Sequence, residues 1–346
     1  MIQQVWHNIK KYLGWRNWAV FYYNSILENL FILFYIGLVK KEWTNLNLLN
    51  IGIYILFSIF ATSYGYLVND LADKELDAKQ NKPNTFSNDS KRRSITVVLL
   101  FFFLSILLSL LFINKFLFLP VMGLWFFFAS FYSLKPIRFK EQGLVGLIII
   151  ILTQRVIPVI LVFLAFEYYE LVDLLLVILL LFMRGAVSDI NHQLVDALND
   201  QTTDTNTFAV IYGIDKMRNI FQKVLILERI FLISTLALIS WRLYEFQIWG
   251  IPIFVYTLIL YCVLIIFLNF YPIKTEFPNP FSEQKNLYQV IHLVFPNIIL
   301  PVFLLLPLIQ KNINYIIFIL LYIFIYKLYK IETLKNSFIG RYFSTK

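Results

Sequence analysis

Ten long apolar runs constrain this chain more than any other feature. They lie near residues 18–39, 51–69, 94–113, 117–133, 143–166, 171–189, 220–241, 247–271, 288–309 and 313–329. A mostly apolar run of about 18 or more residues is long enough to cross the hydrocarbon core of a bilayer as a helix. Pro296, Pro301 and Pro307 crowd the ninth run, which is expected to kink or to form one end of a bent pair, so the expected count is nine or ten transmembrane helices. Composition agrees. With 59% hydrophobic and 18% aromatic residues, the 346-residue chain carries more apolar surface than a soluble domain of its size can bury. An ordinary globular domain, a disordered chain and a disulfide scaffold are excluded, and the single cysteine, Cys262, allows no intrachain disulfide or cysteine-based metal site. The fold class is an all-α polytopic membrane protein, and residues 1–346 read as a single transmembrane domain with no separate soluble part.

The net charge of +9 could suggest a nucleic-acid partner, but its distribution points to topology. Of 30 Lys and Arg, 22 fall on the N-terminus, the loops after the second, fourth, sixth and eighth runs, and the C-terminus; the opposite loops hold only Lys40, Lys41, Lys115, Arg242 and Lys311. By the positive-inside rule the basic side is cytoplasmic. No basic domain is left to bind nucleic acid, so none is expected.

Two cytoplasmic stretches are nevertheless acidic, which the positive-inside rule does not explain. The first reads Asn69-Asp70-Leu71-Ala72-Asp73-Lys74-Glu75-Leu76-Asp77. If the second run continues as a helix, Asp70, Asp73 and Asp77 fall on one face, where like charges repel unless something cationic offsets them. Hard oxygen ligands at a membrane edge suit Mg2+, which binds through carboxylates and substrate phosphates. The second stretch reads His192-Gln193-Leu194-Val195-Asp196-Ala197-Leu198-Asn199-Asp200, and Asp196 and Asp200 follow Asp73 and Asp77 at a constant offset of 123 residues. Each stretch follows the second run of a set of four, so the chain reads as two four-helix pseudo-repeats. Asp189 and Asp204 extend the second acidic face. Between the two lies a basic loop, Tyr132 to Gly143, in which Lys135, Arg138 and Lys140 could neutralise a polyphosphate. Within the runs, Glu28, Arg155, Arg184, Glu228, Arg229 and His292 are expected to face protein rather than lipid, mainly as structural pairs.

The pattern NDxxDxxxD after run two, YSxxPxRxK after run four and DxxxD after run six resembles the UbiA superfamily of intramembrane prenyltransferases, across roughly residues 15–330. Thr207-Phe208-Ala209-Val210 with Gly213, and the Lys82-Pro83 pair, also look like segments of that family. The resemblance implies a helical bundle around a central cavity, with Mg2+ held by Asp70, Asp73, Asp77, Asp196 and Asp200. It implies that these five carry catalysis, that Asn69 assists, and that Tyr132, Arg138 and Lys140 contact the diphosphate. His192, one turn before Asp196, is expected to orient that carboxylate or bind the acceptor. His192-Gln193 stands where some relatives carry a third acidic residue. The expected substrates are a prenyl diphosphate and an acceptor, such as an aromatic or quinone precursor, within the lipid bilayer. A membrane terpene cyclase of the same superfamily is the alternative. A cation-coupled transporter fits less well, because transporter sites lie near the midplane rather than at the membrane edge.

Overall fold

The computed structural model describes residues 2–14, 18, 20–21, 24–79, 81–202, 207–270 and 287–330, and these are helical almost throughout. A two-stranded hairpin, Gln247–Ile248 with Ile251–Pro252, is the exception among them. Six helices are long and apolar enough to cross a membrane: Asn45–Lys79, Lys91–Phe112, Leu144–Ala165, Leu171–Ala197, Ile214–Arg242 and Leu287–Lys311. Four shorter apolar helices, Leu30–Val39, Phe118–Ser133, Ile253–Leu268 and Ile313–Ile325, occupy the remaining expected runs. The first run differs from expectation. It breaks at Asn29, whose φ of −124° and ψ of 34° separate Ser25–Glu28 from Leu30–Val39.

The Asn45–Lys79 helix starts at Thr44, whose hydroxyl accepts the Asn47 amide at 3.2 Å and so caps an otherwise orphan donor. Its 35 residues are longer than the ~20 that cross a bilayer core. The apolar part ends near Val68, and the acidic segment continues as helix beyond it. Leu171–Thr202, with 32 residues, does the same, so Asp196 and Asp200 are also helical. Among the described residues, Ile9–Leu13, Leu152–Val156 and Val290–Ile299 form π-turns. At Leu152–Val156, the indole of Trp125 donates to the Thr153 carbonyl at 2.7 Å. At Val290–Ile299 the widening surrounds Pro296, which has no N–H to give to the His292 carbonyl four residues back.

The chain divides into two compact units. The first comprises residues 1–27, 51–169 and 192–217; the second comprises 28–50, 170–191 and 218–346. Aromatic packing dominates the first unit, where Tyr54 meets Phe57, Phe112 and Phe166, and Tyr64 meets Phe102 and Phe126, at centroid distances of 5.2–5.8 Å. The second unit is held partly by buried polar contacts. Tyr35 donates to Asp173 at 2.5 Å, Arg242 pairs with the same carboxylate at 3.0 Å, and Arg184 pairs with Glu228 at 3.3 Å. His292 Nδ1 lies 2.7 Å from Glu228, which makes His292 and Arg184 members of one buried network, as expected.

Candidate active site

The five aspartates Asp70, Asp73, Asp77, Asp196 and Asp200, with Asn69, Tyr132, Arg138, Lys140 and His192, belong to the first unit, whereas Asp189 falls in the second. Asp70, Asp73 and Asp77 project from the helical extension past Val68, with Asp70 and Asp73 buried and Asp77 half-buried. The basic loop reaches the middle one. Arg138 Nη2 donates to Asp73 Oδ1 at 3.1 Å, and Lys140 Nζ contacts both Asp73 oxygens, at 2.5 Å for Oδ1. The Arg138 guanidinium also donates to the Ser133 carbonyl at 3.1 Å, capping the end of the Phe118–Ser133 helix, and pairs with Glu141. One arginine therefore joins the end of one helix to the acidic face of another. Burial pulls the Lys140 amine below its ordinary value, and the Asp73 charge works against that fall.

Asn69 meets the same loop, its side-chain oxygen accepting the Ser133 hydroxyl at 2.6 Å. Tyr132 is half-buried beside Ser133. At its far end the loop reaches the second acidic helix. Gly143, at φ +56° and ψ −119°, where a side chain is strained, forms a parallel bridge with Thr207. Thr207 in turn donates its hydroxyl to Asp200 at 3.2 Å. Burial raises the Asp200 carboxyl above its ordinary value; the Thr207 hydrogen bond opposes this rise and the neighbouring Asp196 adds to it. Lys82, from the loop after the first acidic helix, is close enough to influence both Asp196 and Asp200 electrostatically.

His192 pairs with Asp196 at 3.0 Å, one helical turn away, and its ring is 76% exposed. Gln193, at the departure from the acidic pattern, accepts the Ala209 amide at 3.2 Å and ties the helix to the segment that follows it. That contact gives the amide at this position a structural role. Asp189 is described, whereas Asp204 lies outside the described residues. The motifs did not single out Asn84, Thr85 and Asp89. Asn84 donates to the Asp77 carboxylate at 2.8 Å and to the Asp70 carbonyl at 2.7 Å, and the Thr85 amide donates to Asp70 Oδ2 at 3.1 Å. Their only signal in the sequence is a Pro-Asn-Thr turn following the acidic helix.

Among the described residues, no three His, Cys, Asp or Glu side chains converge on one metal-sized position. The donors present are carboxylate and amide oxygens, which suit a hard cation. Mg2+ is commonly held by one or two carboxylates together with substrate phosphates rather than by a closed protein cage, so an open set of this kind fits it.

A sequence model of the UbiA prenyltransferase family matches residues 30–281. No curated protein sequence matches the chain. Among solved structures, a UbiA homolog from Archaeoglobus fulgidus bound to DMAPP and Mg2+ shares 14% identity with a TM-score of 0.58, covering 87% of this chain and 98% of that one. The same homolog bound to GPP and Mg2+ shares 15% identity with a TM-score of 0.53, covering 83% of this chain and 99% of that one. A digeranylgeranylglyceryl phosphate synthase shares 16% identity with a TM-score of 0.53, covering 86% of this chain and 98% of that one. At these identities the structural likeness is one of fold. The family match covers well over half of the sequence, and the chain belongs to the UbiA prenyltransferase family.

Proposed function

We propose that this chain transfers a prenyl group from a prenyl diphosphate to an acceptor within the membrane, releasing diphosphate. One observation carries the reading. The basic loop holds Asp73 of the first acidic helix through Arg138 and Lys140, and bridges through Gly143 to Thr207, which holds Asp200 of the second. Three separate stretches of sequence with the chemistry of a diphosphate site are thereby linked within one unit. The family to which the chain belongs, and relatives of the same fold bound to DMAPP or GPP with Mg2+, support the same reading.

Arg138, Lys140, Asp73 and Glu141 form a group whose formal charges cancel. An arriving diphosphate would take the place of Asp73 on Arg138 and Lys140, which would free that carboxylate as a ligand. Mg2+, held by Asp70, Asp73, Asp77, Asp196 and Asp200, would neutralise the leaving diphosphate as a Lewis acid. Asn69 and Tyr132 line the same loop, and His192 orients Asp196. The allylic carbon–oxygen bond breaks with its electron pair going to diphosphate; the acceptor bonds to the allylic carbon and gives up a proton. The apolar prenyl chain lies among lipid-like side chains while Arg138 and Lys140 keep the head at the membrane edge.

The same reading takes all ten apolar helices as spans arranged in two four-helix pseudo-repeats, and residues 1–346 as one transmembrane domain. The N-terminus and both acidic segments are cytoplasmic, on the side with 22 of the 30 Lys and Arg. The test is to incubate membranes containing the chain with labelled prenyl diphosphates of different lengths, with and without Mg2+, and to extract the lipophilic products. Label should move into a product only with Mg2+, and should depend on added acceptor. A product formed equally without acceptor would indicate cyclisation instead, and absence of any conversion at every chain length would refute the proposal.

A further inference from the structure

The loop between the first acidic helix and the next span, residues 81–90, is gripped from two sides. On one side it holds the acidic helix: Asn84 reaches the Asp77 carboxylate and the Asp70 carbonyl, the Thr85 amide reaches the Asp70 carboxylate, and the Lys82 amide donates to the Asp77 carbonyl at 2.9 Å. The Asn84 side-chain oxygen accepts the Phe86 amide at 2.9 Å, which fixes the orientation of its own amide group. On the other side the loop is held by the N-terminal segment. Lys11 Nζ lies 2.6 Å from Asp89 Oδ2, and the Tyr12 hydroxyl donates to the same oxygen at 2.9 Å. Arg93 adds a contact to Asp89 at 3.7 Å and donates to the Asn8 side chain at 3.0 Å. Phe86 is fully buried, with its ring 6.1 Å from that of Tyr12.

We propose that Asn84 is a positioning residue for the Asp77 carboxylate and, through the Thr85 amide beside it, for that of Asp70, and that residues 8–12, through Asp89, hold in place the loop that carries both. The proposal rests on the reading of the first acidic set as a metal and diphosphate site. A carboxylate on a helix surface turns freely about its last torsion. A cationic partner stops that rotation but cancels the charge, as Lys140 and Arg138 do at Asp73. A neutral N–H on one oxygen stops the rotation without itself cancelling the charge. Asn84 and the Thr85 amide supply such donors, one to each flanking aspartate. Partners of this kind are worth about 10–100-fold in metal affinity. Their effect requires a fixed loop, and the buried Asp89 carboxylate, 3% exposed and shared by Lys11, Tyr12 and Arg93, provides the anchor.

The experiment measures how far a prenyl diphosphate protects the purified full-length protein against heat as Mg2+ is varied, and reads the Mg2+ concentration giving half the protection. In Asn84→Ala this concentration should rise about 10–100-fold, with full protection restored by excess Mg2+. In Asp89→Asn it should rise by a smaller factor, and in Asn88→Ala, an exposed position of the same loop, it should not change. A loop with only a structural role would lower the melting temperature without moving this concentration. Should Asn84→Ala not fold, Asn84→Asp keeps the acceptor for the Phe86 amide and turns a donor into a like charge facing Asp77, so it should raise the requirement further. Wild-type half-protection in the Asn84 variant overturns the inference. Absence of protection in the wild-type protein at any Mg2+ concentration overturns the functional reading instead.

Discussion

Lys140 sets its ammonium against both carboxylate oxygens of Asp73, and Arg138 shares one of them. From the sequence, neutralising one of three like charges on a helix face should leave folding intact. The ion pairs change that expectation, because Asp73→Asn leaves two largely buried cations facing each other across a neutral amide. Removing one partner of a buried pair costs about 3–5 kcal/mol. Asp73→Asn should therefore abolish prenyl transfer and also lower the melting temperature of the purified protein. Lys140→Met, which leaves Asp73 with Arg138, should lose activity with a smaller loss of stability. Equal melting temperatures for Asp73→Asn and wild type would contradict this account of the pair.

The position of Lys140 depends on a glycine. A Cβ at Gly146 would run into the Phe139 carbonyl oxygen and lie 3.2 Å from the Lys140 Cα, and backbone cannot yield as a flexible side chain does. Gly146→Ala should push residues 139–140 away from the start of the Leu144–Ala165 span and draw Lys140 off Asp73. The expected result is a raised KM for the prenyl diphosphate with less effect on kcat, measured in steady-state assays. Gly123→Ala, where an added Cβ meets nothing within 4 Å, should behave as wild type.

The spans and the acidic helices were legible because each rests on a local signal. An apolar run of sufficient length has few alternatives to a membrane helix, and the spacing of Asp70, Asp73 and Asp77 fixes a common face once Asn45–Lys79 is continuous. The basic loop was legible from the density of Lys135, Arg138 and Lys140, but not its division of labour. Arg138 and Lys140 turn inward to Asp73 while Lys135 stays exposed, a difference set by tertiary contacts. The break at Asn29 has neither Pro nor Gly beside it; its only local mark is the polar pair Glu28-Asn29 inside an apolar run, which a continuous helix could also carry. Asn84 and Asp89 were illegible for another reason. Their partners Asp70, Asp77, Lys11 and Tyr12 lie 7 to 78 residues away, and single polar loop residues carry no periodicity.

Acid should loosen the N-terminal strap first at Asp89. Burial pushes its carboxyl up, but the hydrogen bonds from Lys11 and Tyr12 and the charges of Lys11 and Arg93 outweigh burial and hold it below its ordinary 3.8. A carboxyl that is lower in the folded chain than in the unfolded one stabilises the fold fully above the unfolded value. That contribution is lost as pH falls from there through the folded value. Asp89→Asn should melt below wild type at neutral pH, and the two melting curves should converge below about pH 4. A gap that stays constant well below pH 4 would mean that Asp89 does not titrate with the contacts to residues 11 and 12.

Arg184 answers a defect created by Pro296. The proline cannot donate to the His292 carbonyl, and Arg184 Nη1 does so at 2.7 Å while Nη2 donates to the Asn297 side chain at 2.8 Å. Glu228 balances the charge, with His292 on its other flank. All four side chains are buried within apolar helices of the second unit, where a lone charge costs about 2.5–3.5 kcal/mol. Arg184→Met strips the charge partner from Glu228 and the donor from the widened turn. Glu228→Gln leaves Arg184 charged, with His292 as its neighbour. Each should lower stability by about 3 kcal/mol in thermal unfolding of the purified protein. The double variant, which removes both charges, should lose much less than the sum of the two, because neither leaves the other stranded. Additive losses would show that Arg184 acts through the His292 carbonyl and Asn297 alone, with no dependence on Glu228.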